Sequence, residues 1–185
     1  GLGRDMARIL SQKGYELIAV ARDEEKLEQL KSELKTNVKI IAIDISNVEN
    51  CKKIYEENKD IDILINNAGF GDCGYFAETN LEKDVQMINT NVLATHVLTK
   101  LYLKEMTEKN SGKILNVASI AGFMPGPLMA TYYSTKNYVV KLSEAIREEL
   151  KIKKSNVQIS ILCPGPVNTN FNQVANVKFA LKGQT

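Results

Sequence analysis

Tyr132 and Lys136 stand four residues apart in the run Tyr132-Tyr133-Ser134-Thr135-Lys136, and Ser119 lies thirteen positions before Tyr132. Residues spaced i,i+4 on a helix share one face, so this spacing sets an ammonium beside a phenol. A hydroxyl brought to the same place would complete a set for acid–base chemistry. A free phenol, with a pKa near ~10, is a poor base at neutral pH, and a neighbouring cation draws it toward the working range. The bare spacing describes equally well two residues on a solvated helix face. Ser119 weighs against that reading, because the strand-like run Lys113 to Ala118 ends there and leads into the Gly/Pro-rich loop Ile120 to Pro127. The carboxyl ends of strands are where open α/β sheets bind ligands.

The elements that must position these groups follow from hydrophobic periodicity. Strands are expected over Glu16 to Ala21, Val38 to Ile43, Ile61 to Ile65, Lys113 to Ala118 and Val157 to Leu162, each near-continuously apolar as a doubly covered strand should be. Amphipathic stretches alternate with them at Arg4 to Lys13, Glu24 to Leu34 and Asn47 to Asn58, then as two longer helices, Leu81 to Lys109 and Ala130 to Lys151. This alternation implies one α/β domain over residues 1–185, with a parallel sheet covered by helices on both faces.

Composition narrows the partners. The 24 basic and 22 acidic residues are interspersed and leave a net charge of +2, so neither nucleic acid nor an anionic membrane is implied, and a small molecule is. The longest apolar runs, Leu17 to Ala21 and Ile40 to Ile43, fall far short of the ~20 residues that cross a bilayer. Cys51, Cys73 and Cys163 are odd in number and lack metal-type spacing, which fits reduced thiols in the cytoplasm and no metal site. Cys163 reads as a packed thiol, and His96, the one histidine, as a packing or interface residue.

Several strand ends carry residues suited to a dinucleotide. Gly1-Leu2-Gly3 opens directly into a helix, whose N–H groups and dipole favour a phosphate, although a plain glycine cap has the same sequence. About twenty residues on, Ala21-Arg22-Asp23 offers an arginine for a ribose 2′-phosphate before an acid for a 2′-hydroxyl. NADP is therefore favoured over NAD, the alternative being that Arg22 and Asp23 merely start a helix, with Asp23 as N-cap. Asp44-Ile45 presents a carboxylate to an adenine amino group or caps a turn. Asn66-Asn67-Ala68-Gly69 combines small residues, which let a cofactor approach the backbone, with amides able to tie neighbouring strands.

In combination and order, these motifs resemble the short-chain dehydrogenase/reductase family over nearly the whole chain, which implies a Rossmann-type doubly wound parallel sheet. The resemblance rests on Gly1-Leu2-Gly3, Asp44, Asn66 to Gly69, Asn91 in Ile88-Asn89-Thr90-Asn91-Val92, Ser119, Tyr132 with Lys136, and Pro164-Gly165 followed by Thr169. It implies a catalytic set of Asn91, Ser119, Tyr132 and Lys136: tyrosine as acid or base, serine on the substrate oxygen, lysine on the tyrosine and the nicotinamide ribose, asparagine on a relay water. It also implies a nicotinamide segment at Pro164-Gly165-Pro166-Val167, with Thr169 on its amide or phosphate, and the start of a substrate lid over residues 170–185. A first strand before Gly1 and a C-terminal strand are missing relative to that family pattern, which predicts a gap in the middle of the sheet. The implied activity interconverts a carbonyl and an alcohol, in a homodimer or homotetramer. The alternatives are a non-catalytic dinucleotide sensor and an S-adenosylmethionine methyltransferase, which has no use for Ser119, Tyr132 and Lys136. Phe70, Phe76, Phe123, Met124, Leu128 and Met129 follow the motif-bearing strands and either line an apolar substrate pocket or pack as ordinary loops.

Overall fold

The computed structural model describes residues 1–166 and Ala175. Strands and helices alternate as α1 (Leu2–Gln12), β1 (Leu17–Ala21), α2 (Glu24–Glu33), β2 (Val38–Ala42), α3 (Val48–Glu57), β3 (Ile63–Asn66), α4 (Leu81–Ile88), α5 (Thr95–Lys109), β4 (Lys113–Val117), α6 (Ala130–Ile152) and β5 (Gln158–Leu162). Side-chain caps start three helices: Asp23 accepts from Lys26 N–H at 3.0 Å, Asn47 from Glu49 N–H at 2.9 Å and Asn80 from Lys83 N–H at 2.8 Å. Gly14, with φ +87°, turns the chain out of α1, a conformation that L side chains rarely adopt.

All strand pairs are parallel, but among the described residues they form two sheets, β1-β2 and β3-β4-β5. In the register, Leu17 pairs with Val38, Ile63 with Lys113, and Lys113 with Gln158. The break between β1 and β3 lies where a 3-2-1-4-5-6 order places its first strand, which agrees with the gap that the family resemblance implies. The main core fills the space between the three-stranded sheet and α3, α5 and α6, where Leu64, Leu98, Met106, Ile114, Leu150 and Ile159 are buried. Each such side chain stabilises the fold by about 1.5–3 kcal/mol relative to exposure.

The long helix expected over Leu81 to Lys109 is interrupted. Residues Asn89–Ala94 form a π turn between α4 and α5. Asn91 explains the widening: it is 1% exposed and its amide is bonded outside the helix, to the Phe70 backbone and Thr135. The 3.6-residue pattern passes through such a turn unchanged to the eye, and single π turns recur at functional sites. Among the described residues, no helix is long and apolar enough to cross a membrane.

Candidate active site

Ser119 follows β4 in extended conformation, and its Oγ accepts from Ala121 N–H at 3.2 Å, which starts a 3₁₀ turn over Ile120–Phe123. That turn is pressed onto α6. A β-carbon on Gly122 would stand 2.9 Å from the Lys136 carbonyl oxygen and 2.8 Å from Val140 Cγ2, so the close approach needs glycine. Asn137 Nδ2 donates to the Gly122 carbonyl at 2.7 Å and fastens the contact. The result is that Ser119 hydrogen-bonds the Tyr132 side chain. Ser119 Oγ also lies 3.4 Å from the Pro164 carbonyl.

Tyr132 and Lys136 are both buried on α6, at 8% and 5% exposure, with Lys136 Nζ 5.9 Å from the centre of the phenol ring. Lys136 Nζ donates to the Val117 carbonyl at 3.0 Å, tying α6 to the end of β4. Burial pushes the Tyr132 phenol above its ordinary value, and the Ser119 hydrogen bond opposes it. The net shift is thus upward, the reverse of the lowering expected from the spacing, because desolvation outweighs any pull from Lys136. Burial also brings the Lys136 ammonium from 10.5 to about 8, so the cation expected to act on the phenol is itself destabilised. The bland alternative, a solvated surface pair, is excluded by the burial of both side chains.

Asn91 joins this group from the π turn. Its Oδ1 accepts from Phe70 N–H at 3.1 Å, and its Nδ2 donates to the Phe70 carbonyl at 2.9 Å and to Thr135 Oγ1 at 3.0 Å. Gly69 sits over both polar groups: a β-carbon there would lie 3.0 Å from Asn91 Oδ1 and 3.2 Å from Lys136 Nζ. Behind them runs a buried chain of which only Asn66 stands out in the sequence. Asn66 Nδ2 donates to Asn116 Oδ1 at 2.8 Å and Thr99 Oγ1 at 3.0 Å, and Asn116 Nδ2 donates to Ser143 Oγ at 2.9 Å. It ties β3 to β4 and both to α5 and α6, the strand-to-strand role foreseen for the amides of Asn66 to Gly69. The signal for Thr99, Asn116 and Ser143 was a polar residue at an otherwise apolar position.

The residues assigned to a cofactor are placed unevenly. Gly1 occupies the N-cap of α1 without a side-chain cap, leaving the first-turn N–H groups of Leu2 and Gly3 without a side-chain acceptor. A β-carbon on Gly3 would meet Asn67 Nδ2 at 2.7 Å, so this turn adjoins Asn67, Ala68 and Gly69. Arg22 is exposed and its side chain has no partner among the described residues, whereas Asp23 is spent on the α2 cap and on an ion pair with Lys26. Asp44 takes its capping role, Oδ1 accepting from Ser46 N–H at 2.9 Å. Ile45 packs partly buried against the main core, so any contact it makes with a cofactor is through its backbone. The Pro164 carbonyl accepts from Ile120 N–H at 3.1 Å, while Gly165 is open, with Ile120 Cδ1 4.0 Å from an added β-carbon. Val167, Thr169 and the expected lid over 170–185 lie outside the described residues, apart from Ala175.

Cys163 packs against Ala118, Val139 and Val140, and burial pushes its thiol up, which suits packing and not nucleophilic attack. His96 Nδ1 pairs with Tyr138 Oη at 2.8 Å, linking α5 to α6. Of the apolar loop residues, Phe70 and Met129 pack against the cluster holding Tyr132, while Phe76, Phe123 and Met124 are exposed.

A phenol, a hydroxyl and a buried ammonium at the carboxyl ends of parallel strands, next to a glycine-capped helix start, define a dinucleotide-fold oxidoreductase type of site. The sequence pattern described as short chain dehydrogenase matches residues 1–178, and the chain belongs to that family. It is an enzyme of this class, which removes the S-adenosylmethionine methyltransferase alternative. A ketoacyl reductase of Nostoc sp. is 35% identical over 175 residues, covering 91% of this chain and 60% of the relative. The solved structure of a short-chain dehydrogenase from Sphingobium yanoikuyae in complex with NADPH superposes with a TM-score of 0.88 at 26% identity, over 96% of this chain and 72% of that one. A short chain dehydrogenase/reductase from Burkholderia phymatum in complex with NAD gives 0.88 at 26%, over 100% and 69%.

Proposed function

We propose that the protein reduces a small-molecule carbonyl to an alcohol with NADPH, and runs the reverse reaction with NADP. The observation that carries this is the buried Tyr132 phenol, hydrogen-bonded on the Ser119 side and flanked by Lys136. Residues suited to the dinucleotide surround it: the α1 start for a phosphate, the Gly3–Asn67 contact and exposed Ala68 and Gly69 for its backbone, and Lys136 for a ribose. Once bound, the nicotinamide supplies the hydride.

The protein's part is the oxygen that becomes an alkoxide. Ser119 Oγ donates a hydrogen bond to it, and Tyr132 Oη delivers the proton. A phenol held above its ordinary pKa is fully protonated at neutral pH, which suits the reducing direction. Lys136, as an ammonium, supports the phenolate left after transfer. Asn91 has both amide hydrogens committed to protein groups, so a relay water would meet the second lone pair of its Oδ1 or a carbonyl released from the helical ladder by the π turn.

The preference for NADPH is supported by the exposed Arg22 side chain, without a partner among the described residues, beside a committed Asp23. The Nostoc relative's name points to a keto group on the substrate. A homo-oligomer in the cytoplasm completes the proposal; Leu81, Val85 and Ile88 form an exposed apolar stripe on α4 that a second copy would cover. A carbonyl panel followed by loss of NADPH absorbance tests the reaction. Turnover of at least one ketone is expected; NADPH binding without turnover would make the protein a sensor, and no binding of NADPH or NADH would sink the proposal.

A further inference from the structure

Between the proton donor and the lysine lies a third buried group, Thr135, 3% exposed. Its Oγ1 donates to the Tyr132 carbonyl at 2.7 Å and accepts from Asn91 Nδ2 at 3.0 Å. A hydroxyl has one hydrogen, and here it is spent on the helix backbone, so a lone pair must face Asn91. The other Asn91 bonds form a reciprocal pair with Phe70, and a flipped amide would set N–H against N–H and oxygen against oxygen. Thr135 takes the remaining hydrogen and joins the π turn to the helix bearing Tyr132 and Lys136. Because Asn91 Oδ1 and Lys136 Nζ both reach the space beside Gly69, the orientation of this amide sets the polar wall next to the ammonium.

We infer that Thr135 is a positioning residue for the proposed reaction: its hydroxyl takes the Asn91 N–H that Phe70 leaves over, and so holds the π turn against the helix bearing Tyr132 and Lys136. The inference rests on the reading of Tyr132 and Lys136 as a proton-transfer centre. Thr135→Val keeps shape but strands a buried Asn91 N–H, and Thr135→Ser keeps the acceptor.

The test compares these variants with wild type in NADPH-dependent ketone reduction across pH 6–10, with NADPH affinity followed by fluorescence. Thr135→Val is expected to lower kcat on the order of tenfold and to move the alkaline limb of the profile toward lower pH. Thr135→Ser is expected to stay within about threefold of wild type. A folded Thr135→Val with the wild-type kcat and profile would overturn the inference, as would a Thr135→Ser variant equally impaired, which would assign the role to the methyl group. If Thr135→Val does not fold, Thr135→Cys, with its weaker acceptor, is read against the same two outcomes. A wild-type protein that reduces no carbonyl defeats the underlying reading itself, a result distinct from active wild type with an indifferent Thr135→Val.

Discussion

Lys136 makes a stability prediction of definite sign. Its ammonium is 5% exposed, and burial lowers its pKa from 10.5 to about 8. The unfolded chain therefore holds this proton up to about pH 10.5, whereas the folded protein releases it near pH 8. Between those values the unfolded state binds more protons, so stability rises with pH across that window. Below pH 8 the fold bears the full cost of burying the charge; at about 1.4 kcal/mol per pH unit this is ~3 kcal/mol. The comparison with Lys136→Met cancels groups remote from the lysine, such as the thiol of Cys51 and the phenol of Tyr102, pushed up to about 11 and about 12 by burial, and leaves Lys136 with the Cys163 thiol it acts on. Urea unfolding at pH 7 and pH 10 should show wild type gaining about 2–3 kcal/mol on Lys136→Met over that interval, with unchanged m values. A difference that stays flat from pH 7 to 10 would refute the reasoning, since the lysine would then not be titrating in that window.

Other consequences follow from single contacts. Gly69→Ala would push a methyl group against Asn91 Oδ1 and Lys136 Nζ, and should cost about 1–3 kcal/mol in stability by thermal melting while lowering reductase activity; wild-type values for both would contradict the packing. Arg22→Ala should weaken NADPH binding by about 1.5–3 kcal/mol, tenfold or more by calorimetry, and leave NADH binding nearly unchanged. Equal losses for the two cofactors would remove the 2′-phosphate role. Light scattering should find a dimer or larger assembly, with Val85→Glu plus Ile88→Glu shifting it toward monomer; a monomeric wild type would end that proposal.

Periodicity alone located the strands to within two residues at each end, because the strands of a parallel sheet are nearly uninterrupted apolar runs, as in Leu17–Ala21. The two-sheet break was legible through the family resemblance and not through periodicity, since the family's strand order places its first strand between β1 and β3, where none stands among the described residues. The π turn was hidden: helical patterning does not register one extra residue, and the backbone over Asn89–Ala94 shows it only in the folded chain. The grouping of Ser119, Tyr132 and Lys136 was legible in their spacing, but its electrostatics were not. Spacing brings Lys136 near the phenol, whereas the depth at which α6 packs under the Ile120–Phe123 turn decides that desolvation dominates both groups. The Asn66–Asn116–Ser143 chain was out of reach for the same reason, its partners being 50 and 27 residues apart in sequence.

The central claim is that Tyr132 gives the proton. The direct measurement is kcat for NADPH-dependent ketone reduction by Tyr132→Phe, beside the NADPH dissociation constant of the same variant. The account predicts a fall in kcat of about 10²–10⁴-fold with the affinity for NADPH nearly unchanged. Retention of wild-type kcat in a folded Tyr132→Phe variant would contradict it.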